Sequence, residues 1–386
     1  MRTGAAMLAA AFLLGILLCG CGGSVVTSCV VGCGGGTTVS APPNIATAAA
    51  RNGAVIVSLT SNAQGATFLY TLDGSLPNQH SSTTMTYEAP FLVASNLTVK
   101  AVAIAPGDAA SDATTQAFSP NIPSGTLVWS DEFSNSTSAN AQPNATTWTY
   151  DIGTNCCGNN ELETYCAWGS TTGPCNPASP NAFVGTDGYL HIVAEQPTAG
   201  TATYTSARLK TQGLFSFQYG RIEASMMLPE GQGMWPAFWL LGNNIATVSW
   251  PACGELDVME HIDGNNTPFG GPGNGNPPGY DWTQSSIHGT NLNGGNPYTT
   301  AGFSAAAWHT YGMIWTKGQI QYYVDSPSNI YETFTPSSQG GTWPFDTGPE
   351  FVILNLAVGG SWPGSPDGTT VFPASMLVHY VRIYAN

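Results

Sequence analysis

The run Gly254-Glu255-Leu256-Asp257-Val258-Met259-Glu260 places three carboxylates within an apolar stretch of a chain in which only 8% of residues are charged. Acids that alternate with Leu256 and Val258 fit a strand with two unlike faces. Residues two apart on a strand share a face, so Glu255 and Asp257 lie together. In a regular strand Glu260 falls on the opposite face. One extra residue, a β-bulge, returns it to the side of the other two, and bulges are frequent beside active sites because they re-aim a side chain. Burying a carboxylate costs several kcal/mol unless something satisfies it. No Lys or Arg stands nearby in the sequence. The pattern predicts a bulged strand carrying paired-carboxylate chemistry. The competing readings are a solvated strand edge or a calcium site, the latter usually a loop rich in Gly, Asn and Asp.

The rest of the chain favours the same kind of structure. With 46 Gly and 27 Pro among 386 residues, it suits short strands and turns, and no long amphipathic helix stands out. The length leaves room for two domains. The formal net charge is −15, with eight Lys plus Arg. Without a basic patch to meet phosphates, nucleic acid is disfavoured as a partner. An anionic polymer is disfavoured as well, and a neutral polymer fits best.

The N-terminus reads as an export signal. Arg2 supplies the charge and Met7 to Leu18 form an apolar run too short for a span of about 20 residues. The run ends Leu18-Cys19-Gly20-Cys21, which resembles a bacterial lipobox with cleavage before Cys21. Residues 1–20 are thus expected to be a lipoprotein signal peptide. Residues 21–41 form a Gly-rich tether, and the lipid on Cys21 is the expected route to the membrane. The expected location is the bacterial cell surface or outer membrane, or secretion without the lipid. Cys29 and Cys33 can pair within the tether. Cys156, Cys157, Cys166 and Cys175 crowd one loop and can form two bridges, whose connectivity the sequence leaves open. Cys253 is left over and reads as a small buried hydrophobe.

Residues 42–120 form a first unit. Val55 to Leu59, Thr67 to Thr71 and Leu97 to Val102 read as strands, and Asp73-Gly74 as a turn. The second unit, 124–386, is also strand-rich, with runs at Tyr189 to Ala194, Gly220 to Met226, Gln319 to Val324 and Val378 to Tyr384. All 11 Trp lie in the second unit. Sugar rings stack on aromatic faces, so a sugar cleft belongs there, with about half of the Trp left as core. The fold class is all-β: a large two-sheet jelly-roll sandwich preceded by a small immunoglobulin-like β-sandwich.

Several motifs carry a family resemblance. Tyr70 to Pro77, Tyr87 to Phe91 and Val99 to Ala103 resemble the chitobiase C-terminal-like accessory domain. Gly254 to Glu260 resembles the bulged signature of glycoside hydrolase family 16. Gly233 to Gly242 (with Trp235-Pro236-Ala237-Phe238-Trp239), Thr205 to Thr211, Asn159 to Tyr165 and Ile353 to Gly360 with Trp362-Pro363-Gly364 resemble flanking tracts of its laminarinases. The resemblance spans roughly residues 127–386 and implies a concanavalin A-like jelly roll and an endo-acting, retaining β-1,3-glucanase. It implies Glu255 as nucleophile, Glu260 as general acid/base, and Asp257 as the group that hydrogen-bonds the nucleophile and sets its charge. It implies Trp235 and Trp250 as aromatic walls, and Asn160, Arg208, His288 and Asn355 as polar residues of the cleft. A retaining pair stands about 5–5.5 Å apart, one carboxyl ionised and one protonated. No cofactor is implied. Many relatives hold a structural calcium through a terminal-strand Asp, but His379 stands there, with Glu132 the remaining candidate, and neutral imidazole suits calcium poorly.

Close alternatives are mixed-linkage β-1,3-1,4-glucan as substrate, or transfer of the glycosyl unit to a sugar. Galactan-cleaving activity is disfavoured by the scarcity of cations to meet sulfate. The alternative from another class is a non-catalytic β-glucan-binding surface lipoprotein, against which Glu255 and Glu260 both stand intact. The Cys-rich insertion at 156–175 is expected to shape the non-reducing-end subsites. A monomer is the default for one tethered active unit.

Overall fold

Short β-branched and aromatic runs separated by Gly and Asn turns build strands throughout the computed structural model, which describes residues 38–134, 137–154, 157–198, 200, 203–263, 281–338 and 340–386. The export signal, Cys19, Cys21, Cys29, Cys33 and nearly all of the tether lie outside the described residues, as does Cys156.

The N-terminal strands form two small sheets. One pairs Asn44–Ala49, Val55–Thr60 and Phe91–Val93. The other orders Met85–Thr86, Thr67–Thr71, Leu97–Ile104 and Thr114–Phe118. Alternate residues (Val57, Leu59, Tyr70, Phe91, Val93 and Val99) point inward and make their common core. Tyr70 stacks on Phe91 with ring centroids 4.9 Å apart. The expected Asp73-Gly74 turn is present: Gly74 has φ +77°, and Asp73 Oδ1 accepts from the Ser75 N–H at 2.9 Å.

The larger part is a sandwich of an eight-stranded and a seven-stranded sheet. The first runs Ala182–Val184, Leu190–Ala194, Ala374–Tyr384, Gly220–Met227, His309–Thr316, Gln319–Val324 and Ile330–Phe334, with Leu127–Asp131 also paired to Ala374–Tyr384. The second runs Leu292–Tyr298, Thr283–Gly289, Glu255–Glu260, Met234–Gly242, Glu350–Val358, Arg208–Lys210 and Thr149–Asp151. All pairings in both sheets are antiparallel. This is the jelly-roll sandwich expected from the strand pattern. The only helix among the described residues is the single turn Ile245–Val248.

Period-two alternation assigns each strand residue to core or cleft. In Glu350–Val358, buried along its whole length, Val352, Leu354, Leu356 and Val358 enter the inter-sheet core. Phe351, Ile353, Asn355 and Ala357 face the cleft instead. From the other sheet Ile222, Met226, Met313, Trp315, Tyr322 and Ile383 meet that core. Each such large side chain contributes about 1.5–3 kcal/mol on burial. Four Trp (Trp129, Trp148, Trp282 and Trp315) are buried, and four others (Trp235, Trp239, Trp250 and Trp362) line the cleft.

The small sandwich is tied to the large one through the backbone. The Leu92 N–H donates to Ser216 O, and the Ser216 N–H to Pro90 O, both at 2.9 Å. Ala54 and Leu92 belong to the main core.

Candidate active site

The strand Glu255–Glu260 carries the bulge that its sequence predicts. Against Met234–Gly242, Trp239 pairs with Asp257 and Phe238 with Met259, leaving Val258 as the extra residue. The register against Thr283–Gly289 shifts at the same place. Val258 and Met259 are therefore buried consecutively, and Glu255, Asp257 and Glu260 all line one cleft of about 990 Å3. Gly254, just before the strand, has φ +87°, and a Cβ there would stand 2.9 Å from Pro344 Cγ, so both backbone and space call for glycine.

Strand pairing supplies the partners. His288 lies directly opposite Glu255, and Ser286 opposite Asp257. His288 Nε2 is 3.2 Å from Asp257 Oδ2 and 3.8 Å from Glu255 Oε1. The Ser286 hydroxyl donates to Asp257 Oδ2 at 2.6 Å and lies 3.4 Å from Glu260 Oε2. The indole N–H of Trp250 donates to Glu255 Oε2 at 2.7 Å, and that of Trp235 to Glu260 Oε1 at 3.0 Å. Each outer carboxylate is thus held by one tryptophan, with Asp257 between them held by His288 and Ser286.

The electrostatics differ along this row. Burial, and then the charge of Asp257, raise Glu255 to about 8, opposed by His288, the Trp250 N–H and Arg208. Burial, and then Asp257 together with Glu255, push Glu260 well above the ordinary carboxylate range, opposed by Trp235 and His288. Burial alone lowers His288, but its hydrogen bond to Asp257 and the charges of the three acids outweigh that and raise it to about 9. Glu260 faces two acids, whereas Glu255 has one acid beside it and a cation 3.8 Å away. Glu255 therefore ionises before Glu260.

Among the described residues, Glu255, Asp257 and His288 have ligating atoms within 4.8 Å of one another, close enough to share a cation. A protonated imidazole has no lone pair to offer, and with His288 raised to about 9 it serves as the site's own positive charge. The calcium donor set fits no better. Both oxygens of Glu132 are engaged by Arg382, at 3.0 and 2.8 Å, and His379 packs against Tyr189 and Tyr380.

The remaining expected residues divide. Arg208 is buried, with its guanidinium 4.5 Å over the Trp239 ring and 3.0 Å from Asp151. Asn355 lines the cleft directly across from Arg208. Its Oδ1 accepts from Trp239 Nε1 at 2.7 Å, and its amide donates to Tyr165 at 3.3 Å. Asn160 is exposed and donates to Ser361 Oγ at 2.9 Å, while its neighbours Asn159 and Glu161 line the cleft. His261 is fully buried behind the strand, with Nδ1 3.0 Å from Trp282 O.

Trp239 and Ser286 also belong to the site, and each has a signal in the sequence. Trp239 is four residues after Trp235 on one strand, and Ser286 two before His288, so each pair shares a face. Trp362 stands in the Trp362-Pro363-Gly364 tract of the resemblance, whereas Asp151 carries no comparable signal. Cys166 and Cys175 form a disulfide, and Cys157 is disulfide-bonded as well. Cys157 lies on the cleft rim, and Cys253 is a buried free thiol.

Residues 179–380 match the pattern of glycosyl hydrolases family 16. The chain belongs to that family. Residues 57–118 match a second pattern, described as Fn3 associated, which coincides with strands of the small sandwich. A beta-glucanase of Rhodothermus marinus is 36% identical over 275 residues, covering 69% of this chain and 87% of that protein. The alpha subunit of clotting factor G from Tachypleus tridentatus is 34% identical over 67% of this chain. Here the chain spans only 34% of the relative's length. The solved laminarinase catalytic domain of Thermotoga maritima superimposes with a TM-score of 0.55 at 34% identity, covering 68% of this chain and 99% of that one. Glu255, Asp257 and Glu260 occupy the cleft face of this chain.

Proposed function

We propose that this glycoside hydrolase is an endo-acting, retaining enzyme that cleaves β-1,3-glucan, with Glu255 as nucleophile and Glu260 as general acid/base. The observation that carries the reading is the bulge, which puts two carboxylates of unequal proton affinity on one face of an aromatic cleft. In the first step Glu255, in its ionised form, attacks the anomeric carbon as the glycosidic C–O bond breaks, and the proton of Glu260 passes to the leaving oxygen. In the second step Glu260 takes a proton from water, which attacks the same carbon and releases Glu255. Two inversions leave the β configuration retained. Asp257, with His288 and Ser286 on its oxygens, fixes the charge between the two.

Substrate choice rests on the walls. Trp235, Trp239, Trp250 and Trp362 offer stacking faces, and the cleft's Arg208 and Lys210 both pair with Asp151, while the His288 imidazole faces Asp257. That favours a neutral glucan over a sulfated one. Asn160, Arg208, His288 and Asn355 are assigned to substrate contact or to holding the walls, and the Cys-rich rim to the non-reducing-end subsites. The test is reducing-sugar release from laminarin, mixed-linkage glucan and agarose, with Glu255→Gln as control. Activity on laminarin that is lost in the control supports the reading. Binding without cleavage by the parent would overturn it in favour of a β-glucan-binding protein. Activity on agarose alone would discard the substrate. We also propose export with a lipid on Cys21, tested by membrane release of a Cys21→Ser chain. No structural calcium is assigned, because Glu132 is engaged by Arg382.

A further inference from the structure

A second pocket, of about 230 Å3, lies where the two sandwiches meet. Ser82, Thr84 and Met85 line it from the N-terminal side, and Asn243, Asn244 and Thr247 from the catalytic side. No lining residue carries a formal charge at neutral pH, the floor includes the Cys253 thiol, and the walls are hydroxyls and amides with some apolar surface. Such a mixture matches a neutral polyol better than an ion or a lipid. The volume is below the roughly 300–1,000 Å3 of sites for drug-sized ligands, a scale that suits one sugar ring.

Two further observations point to an occupant. The side-chain oxygen of Asn243 is buried without a hydrogen-bond partner. A buried acceptor of that kind is costly to leave unmet and is normally matched by water or a ligand. The pocket also lies beside the cleft. The helical turn Ile245–Val248 separates them, with Ile245 on the cleft side and Thr247 and Val248 on the pocket side. Trp250, 57% exposed, follows that turn and lines the cleft.

We propose that this pocket is a secondary sugar-binding site, built jointly by both sandwiches, that holds a glucosyl unit of the same chain that fills the cleft. The proposal rests on the glucanase reading above. It gives the N-terminal sandwich, which has no Trp, a part in holding substrate through polar groups.

The test compares polymeric laminarin with laminaritetraose in the full chain, using Asn243→Leu and, from the exposed rim of the other sandwich, Ser82→Trp. The expected result is a rise of about three- to tenfold in KM for laminarin, the scale of one lost hydrogen bond, with kcat and tetraose kinetics unchanged. Asn243→Leu is expected to hold or raise Tm, because it removes an unmet buried acceptor. Laminarin KM unchanged in both variants would overturn the proposal and leave a water-filled joint. Equal losses on tetraose would also overturn it, since the cleft itself would then be disturbed. If the parent cleaves no glucan, the glucanase reading falls and this proposal falls with it.

Discussion

Glu223 and the row Glu255, Asp257 and Glu260 stand on different sheets of the large sandwich, and their surroundings differ sharply. Glu223, on the eight-stranded sheet, is met by Arg221, by the Tyr323 hydroxyl at 2.5 Å and by the Tyr384 hydroxyl at 3.0 Å. Glu255, Asp257 and Glu260, on the seven-stranded sheet, are crowded mainly by one another, with two indole N–H groups, one hydroxyl and one imidazole among them. The first arrangement satisfies a charge and leaves nothing over. The second holds acids away from water and beside like charges, which raises the proton affinity of the outer two and makes them unequal. A buried carboxylate does chemistry where its neighbours withhold neutralisation, and structural work where they supply it.

Removing each charge breaks or sharpens that contrast. Glu255→Gln is expected to lower kcat/KM on laminarin by at least about 10^4-fold, the scale of losing a nucleophile, while Glu223→Gln stays within a few-fold of the parent. Steady-state kinetics on both proteins decide it, and comparable losses would erase the distinction. Glu260→Gln falls between, at about 10^2- to 10^4-fold on substrates whose leaving group needs a proton.

Stability should order the same variants the other way. Glu223→Gln leaves Arg221 without its buried partner and is expected to cost about 3–5 kcal/mol in denaturant unfolding. Glu255→Gln should stabilise, and only at higher pH. The folded state holds the Glu255 proton up to about pH 8, against 4.5 for the free side chain. Between those values the folded protein binds more protons than the unfolded chain, so the parent loses stability as pH rises. The Tm advantage of Glu255→Gln should thus be absent below pH 4.5 and grow toward pH 8. A constant advantage at all pH values would count against a charge effect.

The smallest effect expected is on the pH profile of His288→Gln. The imidazolium favours the ionised form of Glu255, so its loss should move the acidic limb of kcat/KM to higher pH. A limb that stays in place would make His288 a packing group only.

Much of this was readable from the chain because it is local. The bulge follows from three acids spaced two and three apart, and the cleft faces of Trp235 and Asn355 from alternation along their strands. What was not readable depends on which strands become neighbours. His288 gained its partner because residue 288 pairs with 255, and Arg208 because 208 pairs with both 355 and 151. Nothing near Asp151 in sequence announces that it will hold Arg208 and Lys210. Asn160 depends on its turn in the same way: its amide donates to Ser361, while its neighbours Asn159 and Glu161 line the cleft. The pocket at the junction lay beyond any local pattern, since its two walls are separated by more than 150 residues of chain.

The division of labour between Glu255 and Glu260 is the central claim, and trapping the covalent intermediate tests it most directly. The enzyme would be treated with a 2-deoxy-2-fluoro laminaribiosyl fluoride and its peptides mapped by mass spectrometry. One glycosyl group is expected, carried by Glu255. A label on Glu260 or Asp257 would contradict the assignment.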